Sequence, residues 1–399
     1  MQINLLCSRL TRILDCRLKY SRSANANKFA LLSTYPYFCS DLMRSVFLIL
    51  FFLTVMHGCT GRSQASGPET LRLAFCGDIM MGTNFPEMPE NAYLPSMDGA
   101  KLFQHVTPIL KNADAAAGNL EGTLLDSGGK LKEFKDSALC YAFRTPVRYV
   151  NNLKAAGFDF MAIANNHIND FGAEGRASTR QTLKDASIGY AGLTSDTPYY
   201  ILERRGLKIG FSAFSPHGRT WSIHDTKKMR HIITHLDSVC DVVVVSFHGG
   251  GEGIKFTHVT GEEEICFDQK RGNVKEFARA AVNAGADIVY GHGPHVTRAI
   301  ELYRDRLIMY SLGNFCTPYR VNLKGLSGHA PLVTVDVDSK GRFITGKIHP
   351  FVQQRGIGPV PDRTGKVVRQ IRMLSASDFP MSPLSIAPDG TLNRKKTCP

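Results

Sequence analysis

The sequence has no cysteine pair of the CxxC kind. Its ten cysteines stand singly, which excludes zinc ribbons and thioredoxin-type redox motifs. It has no run of basic residues interleaved with aromatics, so no nucleic-acid partner is expected. The formal charge is +13, of which residues 1–58 carry +5 and the remainder +8. Basicity as mild as this suits an anionic substrate or an envelope polymer. No 20–50-residue repeat is evident, so a solenoid or propeller is not expected. A comfortable membrane span is also missing. The apolar run Val46–Met56, in "MRSVFLILFFLTVMHGC" (43–59), is too short for one.

That run has the proportions of a signal-peptide core. Cys59 follows Gly58, an arrangement that resembles a bacterial lipoprotein cleavage box. Cys59 is therefore the expected lipidation site, which places the mature chain outside the cytoplasm and anchors it to a membrane; a plain signal peptide or an uncleaved anchor is the alternative. Residues 1–42 read as an upstream extension, with translation starting at Met43. Residues 43–58 read as the signal, 59–70 as a tether, 71–350 as the folded domain and 351–399 as a C-terminal extension with an irregular, Pro-rich tail. Beyond Cys59, Cys76, Cys140, Cys240, Cys266, Cys316 and Cys398 remain. Most lie beside apolar runs, where cysteine acts as a small buried hydrophobe.

From residue 70 onward, apolar runs of four to six residues alternate with helical patterns. This is the signature of an α/β fold with covered sheets. After about residue 320 the strands alternate polar and apolar positions, which predicts an antiparallel continuation. Polar residues recur just past the strand ends: Asp78, Glu121, Asn166, His167, His248, His292 and His295. In open α/β sheets ligands bind at the carboxyl ends of strands. Carboxylates, an amide and imidazoles together make a mixed oxygen/nitrogen donor set. Without thiolates, it suits one or two divalent ions such as Mn, Zn, Fe or Ca. Each residue alone has a plainer reading as a turn former, helix cap or core histidine. Their conjunction at five separate strand ends carries the metal-site expectation.

The motifs "GDIMMG", "GNLEGTL", "ANNHINDFG", "SFHGGGE", "GADIVYGHGPHV" and "YSLGNF" occur in the order seen in the capsule-synthesis CapA family, linked to poly-γ-glutamate. The resemblance covers about residues 73–316. It implies the metallo-dependent phosphatase fold, a four-layer αββα sandwich. It further implies that Asp78, Glu121, Asn166, His248, His292 and His295 are metal ligands. His167 resembles a histidine that stands behind the ligands as a catalytic proton donor. Arg144, Arg298 and Asn314, near the motifs, are candidates to hold substrate carboxylates or phosphates. The sequence departs from metallophosphatases at Met80, where a ligand histidine is usual, and at Pro294, which displaces the second closing histidine to 295. Gly249 and Gly293 stand where Trp and His are common. The implied activity is a metal-dependent hydrolase or transferase acting on an anionic envelope polymer or phosphoester. Capsule synthesis or export proteins are the implied partners. The alternative is a non-catalytic, envelope-tethered module that binds or guides the polymer.

Overall fold

The computed structural model describes residues 70–86, 93–133 and 141–396. All lie in the compact unit Gly67–Pro399. The expected signal, Cys59 lipidation site and tether, together with Cys140 and Cys398, lie outside the described residues. No described helix is long and apolar enough to cross a membrane.

The fold is mixed α/β, with two large sheets. The first has nine strands. Its parallel part contains β1 (Thr70–Ile79), β2 (Ala115–Leu120), β3 (Phe160–Ala162) and β4 (Gly189–Ala191). The second has six strands. Its outer strand β5 (Tyr199–Arg204) is antiparallel to β6 (Leu207–Phe214). Next come β7 (Val242–His248) and β8 (Ile288–His292), parallel to β6. The hairpin β9 (Ile300–Tyr303) and β10 (Arg306–Met309) closes that sheet. The chain then returns to the first sheet. There β11 (Asn314–Cys316) lies parallel to the end of β1, and β12 (Leu332–Asp338) runs antiparallel to β1. Beyond β12 come β13 (Phe343–His349), β15 (Thr391–Arg394) and β14 (Leu384–Ile386), all antiparallel.

Strand side chains alternate between faces, and here both faces are dry. In β1, Leu71, Leu73 and Phe75 enter one apolar cluster while Ala74 and Cys76 enter another. In β7, Val242 and Val244 join the first cluster, and Val243, Val245 and Phe247 a third. The first cluster therefore draws on both sheets. This explains why the strands read as unbroken apolar runs.

Helices cover the outer faces. On the first sheet these are α1 (Thr107–Lys111), α2 (Val150–Ala156) and α3 (Gly172–Asp185), through Leu110, Leu153 and Leu183. On the second they are α4 (Thr226–Val239) and α5 (Val274–Asn283). The apolar stripe of α4, Met229–Ile232–Ile233–Leu236, keeps the 3–4 spacing of a core-facing helix. Asp225 caps that helix by accepting the Lys228 amide, as Asn273 does for Glu276 at the start of α5. Such caps satisfy amides that have no partner within the helix.

Three features depart from a simple sandwich or from the expected boundaries. Helix α6 (Lys366–Asp378) sends Val367, Val368 and Ile371 into the inter-sheet cluster and Leu374 into the cluster behind the second sheet. Small two-stranded pairings stand apart from the main sheets, at 264–272 and 351–361. Within the expected extension, residues 366–378 form α6, and the tail expected to be irregular supplies the edge strands β14 and β15. The prolines that suggested a loose tail fall between these elements, where they break no ladder. The cysteine expectation holds for Cys76, Cys266 and Cys316, which are free and buried; Cys240 is half-buried.

Candidate metal centre

The register places the polar strand ends side by side. Asp78 pairs across the ladder with both Asn119 and Asn314, and His248 with His292. Asp78 is fully buried and its two oxygens face different ways. Oδ1 accepts from Asn119 Nδ2 at 2.8 Å and lies 3.8 Å from His292 Nδ1. Oδ2 lies 3.1 Å from His295 Nδ1. One carboxylate therefore belongs to two donor sets: Asp78–His248–His292, all buried, and Asp78–Glu121–His295. Within each set the donor atoms lie within 4.8 Å of one another. Slight contraction around an ion with bonds of about 2.1 Å would close that spacing.

Three polar atoms here are buried without a hydrogen-bond partner: Glu121 Oε1, Asn166 Oδ1 and His248 Nε2. Buried polar atoms are almost always paired, and an orphaned atom in each donor set, His248 Nε2 and Glu121 Oε1, fits a cation-binding role. The surrounding residues fix ligand orientation, as supports behind metal ligands do. Ser246 Oγ lies 2.7 Å from His292 Nε2, leaving His292 Nδ1 turned toward Asp78 and 3.1 Å from His248 Nδ1. Asn314 donates to the carbonyls of His295 and Ser327, so its Oδ1, 2.9 Å away, accepts from His295 Nδ1. Asn165 donates to Asn119 Oδ1 and to the Leu120 carbonyl, and its Oδ1 accepts the His167 and Ile168 amides. His295 itself has φ 58°, a left-handed conformation costly for a residue with a Cβ. The displaced closing histidine reaches the cluster through that strained turn.

Charge follows position. Burial pushes Glu121 well above the usual carboxylate range, and the Asp78 charge pushes it further. Burial also opposes ionisation of Asp78, but the His295 hydrogen bond and charge outweigh it and hold Asp78 low. Burial lowers His248 well below the ordinary histidine value, and neighbouring His292 adds to the effect. His292 is lowered by burial to about 4, with Asp78 opposing. His295 goes the other way: burial lowers it, but Glu121 and Asp78 together raise it well above normal.

Burial therefore favours the neutral, ligand-ready forms of His248 and His292, while Glu121 and His295 are shifted toward protonated forms that work against an ion. Metal affinity should rise with pH, and loading should release protons. Calorimetric titration of Mn in buffers of different ionisation enthalpy tests this. A heat independent of buffer would contradict it.

The structure brings together Asp78, Glu121, His248, His292, His295 and Asn314, with Asn166 and His167 on the adjoining loop. His167 Nδ1 lies 2.8 Å from Asp170 Oδ2, which also accepts the Phe143 amide, and Lys132 pairs with the other oxygen. That bond leaves Nε2 as the free imidazole nitrogen. Two expected substrate-holding residues are placed otherwise. Arg298 is completely buried, with its guanidinium spanned by Glu264 at 2.8 and 2.7 Å. Arg144 is buried between Phe85 and Phe171 and donates to Asn84 Oδ1 and the Gly128 carbonyl. Both hold the fold, because proximity in sequence to a motif does not make a side chain reach the cleft. Asn314 does belong to the centre, where it orients His295. Of two further residues on the loop after His248, Glu252 influences both Glu121 and His295, whereas His258 is taken up by Asp378 at 2.7 Å.

Sequence reasoning missed Asn119, Asp170, His217 and Arg271. His217 follows β6, and its ring stands 5.6 Å from that of His248. Its Nε2 is 3.1 Å from Arg271 Nη1, and Arg271 also pairs with Glu252 at 2.8 Å. Burial, aided by Arg271, lowers His217 to about 3. The strand-end rule would have found His217, since "SPHG" also follows an apolar strand. Arg271 lies in a short hairpin remote in sequence and gave no such signal.

A family model described as bacterial capsule synthesis protein PGA_cap matches residues 72–319. The chain belongs to that family. The matched range contains every candidate ligand and supporting residue from Asp78 to Asn314. Among PGA_cap relatives, capsule biosynthesis protein CapA of Bacillus anthracis is 31% identical over 279 residues, covering 64% of this chain and 63% of the relative. The PGA biosynthesis protein CapA of Bacillus subtilis strain 168 is 29% identical over 286 residues, covering 68% and 70%. The chain thus matches somewhat under two thirds of the length of the first of these. Among solved structures, the calcineurin-like phosphoesterase YfkN from Bacillus subtilis overlaps at TM-score 0.42 and 14% identity, over 77% of this chain and 97% of the other. A hypothetical protein from Thermus thermophilus overlaps at 0.43 and 15%, over 71% and 99%. The relationship to the phosphoesterase fold is distant, and overlaps of this size say nothing about chemistry.

Proposed function

We propose that this PGA_cap protein is an extracytoplasmic metal-dependent hydrolase or transferase acting on an anionic envelope polymer or phosphoester. It is anchored through Cys59 and built on the layered αββα plan of metallophosphatases. The observation that supports this most is the shared carboxylate: Asp78 joins two donor sets, one with the orphaned His248 Nε2 and one with the orphaned Glu121 Oε1. Asp78, His248 and His292 would hold one divalent ion. Asp78, Glu121 and His295 would hold a second, with Asn166 as a further candidate ligand. Bound there, such ions supply Lewis-acid polarisation of a phosphoryl or carbonyl oxygen and lower the pKa of water.

The protein's own residues do the rest. His167, buried and held by Asp170, is the candidate proton donor to a leaving group. Arg271 and His217 border the His248 side, where a fixed cation and a neutral imidazole suit substrate oxyanions. The relatives' names make a capsule polymer such as poly-γ-glutamate the first substrate to try, with synthesis or export proteins as partners. A non-catalytic polymer-handling role is favoured by one feature. Met80, where metallophosphatases commonly place a ligand histidine, is buried apolar filling here.

Metal analysis of untagged protein, dialysed against a weak chelator, tests the proposal. Wild type should hold near-stoichiometric metal, and His248→Ala and His295→Ala should each lose part of it. A folded wild type that takes up none of Mn, Zn, Fe or Ca would overturn it.

A further inference from the structure

The turn after β6 places His217 between two parts of the candidate centre. Its ring stands 5.6 Å from that of His248, at 63°. On the other side, Asn169 Nδ2 donates to the Gly218 carbonyl at 2.8 Å, which ties the turn to the loop that carries His167. The turn itself is held from within. Ser215 Oγ accepts the His217 amide at 3.2 Å, Thr220 Oγ1 donates to the His217 carbonyl at 2.6 Å, and the two hydroxyls bond each other.

The partner on one ring nitrogen fixes the proton on the other. His217 Nε2 lies 3.1 Å from Arg271 Nη1. A guanidinium can only donate, so Nε2 accepts and carries no proton. The neutral ring must then hold its proton on Nδ1, and a charged ring would set N–H against N–H. Arg271 is not free to swing away. It is 4% exposed, its Nη2 bonds Glu252 Oε1 at 2.8 Å, and its carbonyl accepts the Gly250 amide at 2.8 Å. His217 Nδ1 has no hydrogen-bond partner among the described residues. Unlike His248 Nε2, it is not sealed from solvent. It is an accessible donor with a fixed proton, beside the set of Asp78, His248 and His292.

We infer that His217 touches substrate, its Nδ1–H donating a hydrogen bond to a substrate oxyanion, and that Arg271 is the residue that positions it. The inference rests on the reading of the centre as a metal site that processes an anion, and it divides the labour there between two histidines. His167 Nδ1 donates to the Asp170 carboxylate, an arrangement that tolerates a charged ring and so a proton transfer. His217 faces a guanidinium, which does not. His217 therefore stabilises negative charge on the substrate without transferring a proton, as a preorganised oxyanion donor does.

Long-range proton–nitrogen correlation NMR of the imidazoles reads the tautomer in the full-length, metal-free protein at neutral pH. The His217 signal is assigned by its absence in His217→Phe. The Nδ1–H form is expected, relaxing toward a mixture of tautomers in Arg271→Met. An Nε2–H form or an imidazolium in the wild type would overturn the inference, and an unchanged tautomer in folded Arg271→Met would remove the arginine's positioning role. The second arm titrates the Mn-loaded protein with inorganic phosphate. Affinity should fall about tenfold or more in His217→Phe, as for loss of a hydrogen bond to a charged group, with Mn content and thermal midpoint as in wild type. Unchanged affinity, or no phosphate binding by the loaded wild type, would overturn the contact. So would loss of Mn from His217→Phe, which would make His217 a support for the ligands instead. A wild type that takes up no Mn fails the metal-site reading and the contact with it, whereas a loaded wild type with the Nε2–H tautomer fails this inference alone.

Discussion

Asp78→Asn should strip both ions from the protein, whereas His248→Ala and His295→Ala should each strip one. The difference follows from the geometry. Oδ1 faces His292 and Oδ2 faces His295, so one carboxylate serves both donor sets. Asparagine keeps the side-chain shape and one acceptor oxygen, but it removes the charge both ions need. Hard divalent ions depend strongly on anionic oxygen ligands. The expected loss is the whole metal content at micromolar free metal, on the order of 100-fold or more in affinity for each site, since supporting residues alone cost 10–100-fold. Metal content per chain across the three variants reads this directly. One equivalent surviving in Asp78→Asn would show that Glu121 and His295, or His248 and His292, hold an ion unaided, and the shared-carboxylate reading would fail.

The same substitution has a second readout without metal. Asp78, together with Glu121, is what raises the His295 pKa. Asp78→Asn should lower the His295 pKa in the ion-free protein, measurable by NMR titration of the imidazole.

The sequence made the candidate cluster legible because strand-end polar residues after apolar runs are a local pattern. Asp78, His248 and His292 could be found from windows of ten residues. It also made legible the parallel core of each sheet, where runs such as "DVVVVSFH" are dry on both faces. What it could not show is pairing across the chain. Asn119 supports Asp78 across 41 positions, and Ser246 stands against His292 across 46. Neither residue stands out locally, since an asparagine or serine in a strand has many ordinary roles. Arg298 misled for the same reason. An arginine three residues past a ligand histidine looks functional until Glu264, 34 positions away, is seen to span it. The C-terminal strands were hidden because β14 and β15 are only three and four residues long. β15 takes its register from β13 and β14 from β15, rather than from their own pattern.

That buried pair carries the largest stability effect expected in the molecule. Arg298 is among the largest side chains fully withdrawn from solvent, and Glu264 is 8% exposed. Both guanidinium terminal nitrogens bond the carboxylate, and Glu264 Oε2 also accepts the Gly251 amide at 2.7 Å. Removing one member leaves the other charged and dry. Arg298→Met should cost about 3–5 kcal/mol in urea unfolding, the usual penalty for orphaning a buried charge. The double variant Arg298→Met/Glu264→Leu should recover much of that loss, because no uncompensated charge remains, although the Gly251 amide then loses its acceptor at a cost of about 1–3 kcal/mol. Gly251 lies three residues past His248, so the pair also braces the loop that follows a ligand. If the arginine held substrate, the single variant would instead lose activity with its unfolding midpoint unchanged. A double variant no more stable than Arg298→Met would show that the cost came from lost packing volume rather than from the stranded carboxylate.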